Sequence, residues 1–317
     1  MRGEHTALNT KILSMIQKFF RDPNVRLIYL SKLGFTHHIS DYRYLKMKYK
    51  SALGKKLDIV SPARFNEKLQ WLKLYDRKPE YTTMVDKFRV REYIAEKIGP
   101  QYLIPLIGVW DSPEEIDFDA LPEQFAMKCN HNSGLGMCIC TDKSELDVKQ
   151  VKRELRKGLK QDYYLSGREW PYRDVPRKII AEQFMKSDAG GLTDYKIHCF
   201  NGIPKLILVC KDRFTETSLT EDFFSVQWEH LNIRRPKHPN APQPISRPEE
   251  LSQMLSLARI LSRDIPFLRV DFYIIEHQIY FSELTFFPAS GFERFVPDEW
   301  DRIMGDWLAL PEKHEQC

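Results

Sequence analysis

Two carboxylates beside an arginine stand near the C-terminal end of the sequence: Arg269-Val270-Asp271, then, one hairpin later, Glu283-Leu284-Thr285. Acids at the same level on adjacent strands point the same way, which suits magnesium, a cation that takes a few carboxylate oxygens together with phosphate oxygens and water. The group can therefore hold Mg2+ against a nucleoside triphosphate. Arg269, two residues from Asp271 on the same strand face, can reach charge developing at a reacting phosphate or carbonyl. Charged residues at alternate strand positions also line ordinary solvated faces, so this chemistry requires an upstream grip on phosphates.

Phe125-Ala126-Met127-Lys128-Cys129-Asn130 leads into His131-Asn132-Ser133-Gly134-Leu135-Gly136 and then Met137-Cys138-Ile139-Cys140. Apolar runs on either side of a glycine-bearing segment predict strand, loop, strand, with glycines that permit positive φ and close backbone approach. The amides of such a loop can face phosphates, and Lys128, inward on the first strand, would lie under them as a point charge. The spacing is neither a Walker A loop nor a dinucleotide fingerprint opening a helix. An ordinary hairpin with a glycine turn reads the same residues. So does a zinc site, since Cys129, His131, Cys138 and Cys140 offer four donors on neighbouring strands, although paired Cys-x-x-Cys knuckles are absent. Upstream lies Asp86-Lys87-Phe88-Arg89, and downstream Ile179-Ile180-Ala181-Glu182-Gln183-Phe184-Met185, an apolar strand ending in an acid.

Taken in order, a lysine before a helix, a lysine before a glycine loop, a glutamate closing a strand and the Arg-x-Asp with Glu-x-Thr pair resemble the ATP-grasp superfamily. The run Phe65-Asn66-Glu67-Lys68-Leu69-Gln70-Trp71-Leu72, followed by Asp86-Lys87, Asp194-Tyr195-Lys196-Ile197 and Glu283-Leu284-Thr285-Phe286, is similar more closely to the TupA-like ATP-grasp family of polysaccharide biosynthesis. That likeness runs from about residue 60 to the end. It implies an α+β ATP-grasp fold in which two α/β subdomains enclose ATP. Residues 1–60 would be a helical N-terminal extension, 61–112 the N-terminal subdomain, 113–181 the nucleotide-covering lid and 182–317 the catalytic subdomain.

The resemblance also implies roles, with ATP and Mg2+ as cofactors. Lys87 and Lys128 match the two family lysines on the phosphates, and Asn132, Ser133, Gly134 and Gly136 would form the flexible cover. Glu182 and the backbone at Phe184 would face adenine, Asp194 the ribose and Lys196 a phosphate. Asp271 and Glu283 would hold Mg2+, while Arg269 steadies the transferring phosphoryl group or the tetrahedral intermediate. Thr285 stands where the wider superfamily has asparagine, and it still offers one oxygen.

An ATP-dependent carboxylate–amine ligase working through an acyl phosphate is the implied activity. Its partners would be a uronic acid of a capsular or cell-wall polysaccharide and a small amine, either an amino acid or an amino alcohol. Lys211 and Arg213, in Lys211-Asp212-Arg213 at a strand end, are candidates for an acidic substrate, because strand-end arginines meet carboxylates bidentately. A structural ion pair is the plainer reading of the same residues. A kinase on this fold would use the same grip and transfer phosphate to a sugar hydroxyl. A glycosyltransferase would need an Asp-x-Asp metal motif; Asp117-Phe118-Asp119 spells it, but inside an acidic run read as solvated linker.

The chain has 317 residues, 42% hydrophobic and 29% charged, enough for one large or two medium domains. A net charge of only +4 argues against a generally nucleic-acid-binding surface. No apolar run approaches the roughly 20 residues of a membrane span, so association with a polysaccharide-assembly complex would be peripheral. The N-terminus lacks the layout of a secretory signal, and six cysteines without a regular framework point to reduced thiols and a cytoplasmic location.

Several elements must position these residues. Ile12, Leu13, Ile16, Phe19 and Phe20 predict a helix between Asn9 and Arg21. Residues 61–110 predict two helices, one started by Ser61 with Pro62 and the other stopped by Gly99-Pro100. A helix over Ser144–Leu159 would pack Leu146, Val148, Val151 and Leu155 on the glycine-loop hairpin. Asn201-Gly202 marks a hairpin turn, and Ser246 with Glu249 reads as a capping box for a helix striped with Leu251, Met254, Leu255, Ala258 and Leu261. Prolines keep residues 234–244 out of regular structure.

Overall fold

Alternation of apolar and polar residues builds two antiparallel sheets. The computed structural model describes residues 20–32, 34–185, 192–211 and 219–313. The smaller sheet contains β1 (Leu106–Trp110), β2 (Phe125–Cys129), β3 (Met137–Cys140) and β4 (Ile179–Gln183), in the order β1-β4-β2-β3. It thus takes one strand from before residue 113 and carries its last strand past residue 181. On β2, Phe125, Met127 and Cys129 are buried while Ala126 and Lys128 occupy the other face. Val151 and Leu155, from the helix Val148–Leu159, join Phe125, Met127, Cys140, Ile179 and Ala181 in a core separate from the rest of the molecule. Lys128 therefore lies on the face that this core leaves uncovered.

The larger sheet comprises β5 (Asp194–Phe200), β6 (Ile203–Lys211), β7 (Thr220–Ser225), β8 (Phe267–Ile275) and β9 (Gln278–Thr285), in the order β7-β6-β5-β8-β9. The β5–β6 turn is Asn201-Gly202, both at positive φ (48° and 77°), as a tight primed hairpin requires. Register pairs Lys196 with Asp271, His198 with Arg269, Arg269 with Thr285 and Asp271 with Glu283. Because strand side chains alternate, these six residues share one face. The helix Leu251–Leu261 covers the opposite face, where Cys199 Sγ lies 3.8 Å from the Ala258 carbonyl.

Among the described residues, the helices that bear on the site are α1 (Pro23–Lys32), α2 (Asp41–Leu53), α3 (Phe65–Tyr75), α4 (Glu80–Val85), α5 (Val90–Lys97), α6 (Val148–Leu159), α7 (Tyr164–Gly167) and α8 (Leu251–Leu261). A further helix, α9 (Glu299–Trp307), closes against α3. Gly305 makes that approach, since a Cβ there would stand 2.2 Å from the Ala63 carbonyl. On α3, Phe65 meets Phe200 and Phe267 of the large sheet at centroid distances of 5.7 and 4.9 Å. Helix α2 contributes Tyr44, Leu45 and Tyr49 to the same main core.

Three helices, α3 to α5, stand between residues 61 and 110 where the sequence suggested two. The first begins at Phe65, not at Ser61-Pro62, because the Glu67 carboxylate accepts the Ala63 and Arg64 amides at 3.0 Å each. Helix α5 does end just before Gly99, whose φ is 112°. Helix α6 starts at Val148, where Asp147 accepts the Gln150 amide at 2.9 Å, so Ser144 belongs to a short 3-10 turn instead. The Ser246–Glu249 capping box does not form: α8 starts at Leu251 with no side-chain cap, and its buried stripe runs through Leu257 while Leu255 is only half-buried. The predicted helix between Asn9 and Arg21 lies, up to residue 19, outside the described residues.

Candidate active site

Arg269 organises the chemistry-bearing face of the large sheet. Its Nε donates to Asp271 Oδ1 at 2.7 Å and its Nη2 to Asp271 Oδ2 at 2.7 Å, while Nη2 also reaches Glu283 Oε1 at 2.9 Å. Lys196 adds a 2.6 Å bond to Asp271 Oδ2 and stands 3.7 Å from Asp194. Thr285 Oγ1 is 3.4 Å from Glu283 Oε1. The two cations and the Asp271–Glu283 pair balance in charge. Burial alone would raise the Asp271 carboxyl, but Arg269 and Lys196 outweigh it and hold the group below the usual carboxylate range. Burial opposes the charges of Lys196 and Arg269 too, and Asp271 overrides it in both. His198, beside Arg269, is pushed down to about 3 by burial and by that guanidinium, so it is neutral at pH 7.

Asp271 and Glu283 thus differ in situation. Asp271 is fully buried, with both oxygens engaged, whereas the Glu283 side chain is 34% exposed. Among the described residues no cluster of three or more metal-binding side chains forms. Two strand carboxylates and one hydroxyl do not make an all-protein cage, but they match the donor set of a magnesium ion that completes its shell with phosphates and water.

On the small sheet, Lys128 Nζ lies 2.6 Å from Glu182 Oε2, and Arg91 approaches Glu182 Oε1 at 3.2 Å. Lys87 Nζ donates to the Asn132 carbonyl at 2.6 Å, touching the glycine loop itself. Burial pulls the Lys87 ammonium below the ordinary lysine range; Glu283 of the large sheet opposes this, Lys128 reinforces it and Glu182 opposes it. Lys87 is therefore the group at which the two sheets meet. A small cavity lined by Lys87, Tyr172, Ser282 and Glu283 marks the junction.

The loop of His131 to Gly136 is tethered at its base and open at its crown. Gly136 has φ 70°, and a Cβ there would stand 2.8 Å from Gly158 Cα and 2.7 Å from Cys129 Sγ. Cys129 N donates to the Gly136 carbonyl at 3.1 Å, and Asn132 Nδ2 to the Gly158 carbonyl at 3.1 Å, which clips the loop to the end of α6. At Gly134, φ 81°, nothing lies within 4 Å of where a Cβ would stand, and this residue forms the open crown with Ser133. Cys129 therefore fills space beneath a glycine pair, and His131 Nε2 is 3.1 Å from the Gln161 carbonyl. Together with the missing metal cluster among the described residues, this packing overturns the zinc reading.

Other predicted residues fall at different distances from this junction. Phe184 follows β4 immediately. Lys211 ends β6, paired in register with Thr220, and Arg213 lies outside the described residues. Asp117 accepts the Asp119 and Ala120 amides at 3.0 and 3.3 Å and Phe118 is buried, so that tripeptide shapes a turn under the small sheet.

Two groups of residues were given no role from the sequence. Asp86 Oδ1 accepts the Phe88 and Arg89 amides and the Asn130 side chain, the last at 2.8 Å, and Asn130 also holds Pro176 and Lys178; this bolts α5 to the small sheet. The segment from Tyr163 to Tyr172 forms a third wall, with Tyr172 lining the Lys87–Glu283 cavity and Tyr163 stacked edge-on against it at 4.8 Å. Helix α2 supports that wall through Tyr44 Oη to the Ser166 carbonyl at 3.1 Å and through Arg168 laid over the Tyr44 ring at 4.4 Å. The sequence held a cue in Asp41, Tyr44 and Lys48 at helical spacing, which is a polar stripe with no purpose on an isolated helix.

No curated protein matches the chain. Solved structures similar to it include the D-alanine–D-alanine ligase of Bacillus anthracis complexed with ATP, at 16% identity and TM-score 0.38 over 64% of this chain and 53% of that one. The D-alanine–D-alanine ligase of Helicobacter pylori is similar at 14% identity and TM-score 0.41, over 78% of this chain and 70% of that one. D-cycloserine synthetase DcsG follows at 15% identity and TM-score 0.37, over 66% and 64%. The chain spans about half the length of the first of these, 53%. A family model, TupA-like ATP-grasp, matches residues 67–309, the whole stretch that carries the two sheets and the Lys87 junction, and the chain belongs to the TupA-like ATP-grasp family.

Proposed function

We propose that the chain is an ATP-dependent carboxylate–amine ligase that forms an amide through an acyl phosphate. The observation that carries this reading is the meeting of two opposed charge clusters at Lys87, one on each sheet, with a glycine loop touching the same ammonium. Lys87 and Lys128 would hold the ATP phosphates, Asn132, Ser133, Gly134 and Gly136 would cover them, and Glu182 with the Phe184 backbone would meet the adenine. Asp194 and Lys196 would complete the nucleotide side, Lys196 through its grip on Asp271. Asp271, Glu283 and Thr285 would hold magnesium, which when bound neutralises phosphate charge during transfer.

A substrate carboxylate oxygen attacks the γ-phosphorus, the bond to the ADP oxygen breaks, and an acyl phosphate results. Arg269 stabilises the charge that develops first on the phosphoryl group and then on the carbonyl oxygen. An amine nitrogen then attacks the acyl carbon, and phosphate leaves. Closure of the small sheet keeps water from the acyl phosphate.

A uronic acid of a capsular or cell-wall polysaccharide is our candidate for the carboxylate, and an amino acid or amino alcohol for the amine. Family membership supports the saccharide. So does a groove of about 820 Å3 lined by Arg21, Asp22, Lys237, Phe292, Glu293 and Arg294, in which three cations outnumber two acids beside one aromatic ring. It shares Glu293 with a small internal cavity that reaches Arg269 and Arg235. Lys211 would steer such an acidic substrate from the end of β6.

The test is chemical capture. With ATP, Mg2+ and glucuronic-acid oligosaccharides, hydroxylamine should trap the activated carboxylate as a hydroxamate while ADP and phosphate accumulate. A stable gain of one phosphoryl group on the saccharide, with no hydroxamate, would make the protein a kinase and end the ligase reading.

A further inference from the structure

We propose that Glu169, in the segment that carries Tyr163 and Tyr172, is the subsite for the primary ammonium of the incoming amine and takes the proton that must leave before that nitrogen attacks. The inference rests on the ligase reading, and it assigns a residue to the half-reaction that the nucleotide site does not serve.

Glu169 is buried, only 3% exposed, yet no described cation comes within ion-pair distance of it. Its described side-chain hydrogen bond is from Ser290 Oγ to Oε1, and no described residue donates to Oε2. The nearest lysine is spoken for: Lys73 Nζ donates to Gln70 Oε1 at 3.0 Å, to the Gly167 carbonyl at 2.8 Å and to the Ser290 carbonyl at 2.6 Å. Lys48 donates to the Ser166 carbonyl. A buried carboxylate held by one hydroxyl and no paired cation is costly, and a cation arriving from outside lowers that cost.

Local geometry fixes the Ser290 end of that bond. Ala289 and Ser290 adopt consecutive left-handed conformations, φ 48° and 54°, an arrangement that non-glycine residues rarely keep without compensation. Gly167 permits it, because a Cβ there would stand 2.4 Å from Ser290 Oγ. The strained turn follows directly on β9, which carries Glu283 and Thr285, so one short segment links the metal-side residues to the Glu169 tether.

Location and chemistry agree. Tyr172 follows Glu169 by three residues, with its amide 3.2 Å from the Glu169 carbonyl, and lines the cavity that holds Lys87 and Glu283. An aromatic face and a carboxylate each attract an alkylammonium. Burial raises the Glu169 carboxyl, opposed by Lys73, Ser290, Lys48 and Arg269 in that order. Glu169 is in turn the first cause of the raised Tyr163 hydroxyl, ahead of burial, with Glu283 also raising it and Arg269 opposing. The Tyr172 hydroxyl is raised chiefly by burial. A carboxylate lifted in this way is a better base for an ammonium than a solvated one. The nitrogen gives one proton to Glu169, its lone pair attacks the acyl carbon, the bond from that carbon to the phosphate oxygen breaks, and the second proton leaves with the phosphate.

Glu169→Gln separates the two half-reactions. Hydroxylamine is uncharged near neutral pH and needs neither a cation subsite nor a base, so the variant should still form hydroxamate at close to the wild-type rate. Amide formation from ethanolamine or glycine should fall about 100-fold or more, with the acid limb of its pH profile displaced. Equal loss of both activities, or loss of neither, overturns the proposal. Should that variant fail to fold, Ser290→Ala, which frees the tether, should raise the KM for the amine with hydroxamate formation intact; an unchanged KM is equally fatal. If the wild type forms no hydroxamate, the ligase reading falls, and calorimetry with ethylammonium chloride then decides the subsite alone: binding at least tenfold weaker in Glu169→Gln upholds it, and equal binding, or none to the wild type, overturns it.

Discussion

Replacing Asp271 by asparagine and Glu283 by glutamine removes one charge each from the proposed magnesium site, yet the two changes should differ in what they cost the fold. Asp271 is fully buried and receives three charge-assisted bonds, two from Arg269 and one from Lys196, at 2.6–2.7 Å. The Asp271→Asn variant would leave those cations buried without their counter-charge, and breaking a buried pair in this way costs about 3–5 kcal/mol. For a chain of a few hundred residues that is a fall of roughly 10 °C in midpoint. Glu283 receives one arginine bond at 2.9 Å on a side chain 34% exposed, so its neutral isostere should cost under about 1 kcal/mol. Glu283→Gln should instead abolish ADP release in the ligase assay with its thermal midpoint nearly kept. Urea denaturation of both variants, with nucleotide turnover on the same samples, gives the comparison. A third variant tests the cause: Asp271→Asn with Lys196→Met strands one cation fewer, and should recover part of the lost stability. Equal stability losses in the two single variants, or no recovery in the double one, would refute the assignment of Asp271 as a charge that also holds the strands together and of Glu283 as one the fold can lose.

The glycine loop predicts a second contrast. Gly136→Ala must accept a left-handed backbone, about 1–2 kcal/mol, and also push apart Gly158 and Cys129, about 1–3 kcal/mol more, whereas Gly134→Ala meets open space and incurs only the first cost; chemical denaturation should separate them, and equal values would exclude the packed glycine pair. Acid titration supplies another. His198 is neutral in the folded chain down to about 3, while the unfolded chain titrates near 6.5, so the unfolded state binds the extra proton between those values. Stability should rise with pH across that window, be fully present above it and be lost on acidification; His198→Asn should flatten the slope in urea titrations from pH 4 to 7, and an unchanged slope would place the titration elsewhere.

The order of Lys87, Lys128, Glu182, Arg269, Asp271 and Glu283 along the chain was legible without coordinates, because period-two alternation and a glycine-bearing turn are local rules that short stretches obey by themselves. The Asn201-Gly202 hairpin was legible for the same reason: only residues tolerant of positive φ fit that turn. Helix starts were not. Ser61-Pro62 and Ser246 carry good local signals, but Glu67 reached back to the Ala63 and Arg64 amides, and the helix at Leu251 was set by how Leu251, Met254 and Ala258 seat under the large sheet.

Nor does any sequence pattern distinguish Asp271 from Glu283, two acids of like type on paired strands. Their difference comes from Lys196 on the neighbouring strand, 75 residues away, which lies in register with Asp271 and not with Glu283. The same holds for the Tyr163–Tyr172 wall, whose nearest sequence neighbours form no strand or long helix. It becomes part of the site because Tyr44, Lys48 and Lys73, from helices far upstream, hold its carbonyl groups in place. Local propensity determined which short segments would be strands, turns and loops. The charge and burial of each functional group were decided only when distant segments excluded water together, since electrostatic energies depend on every neighbour inside the low-dielectric interior and not on the order of residues along the chain.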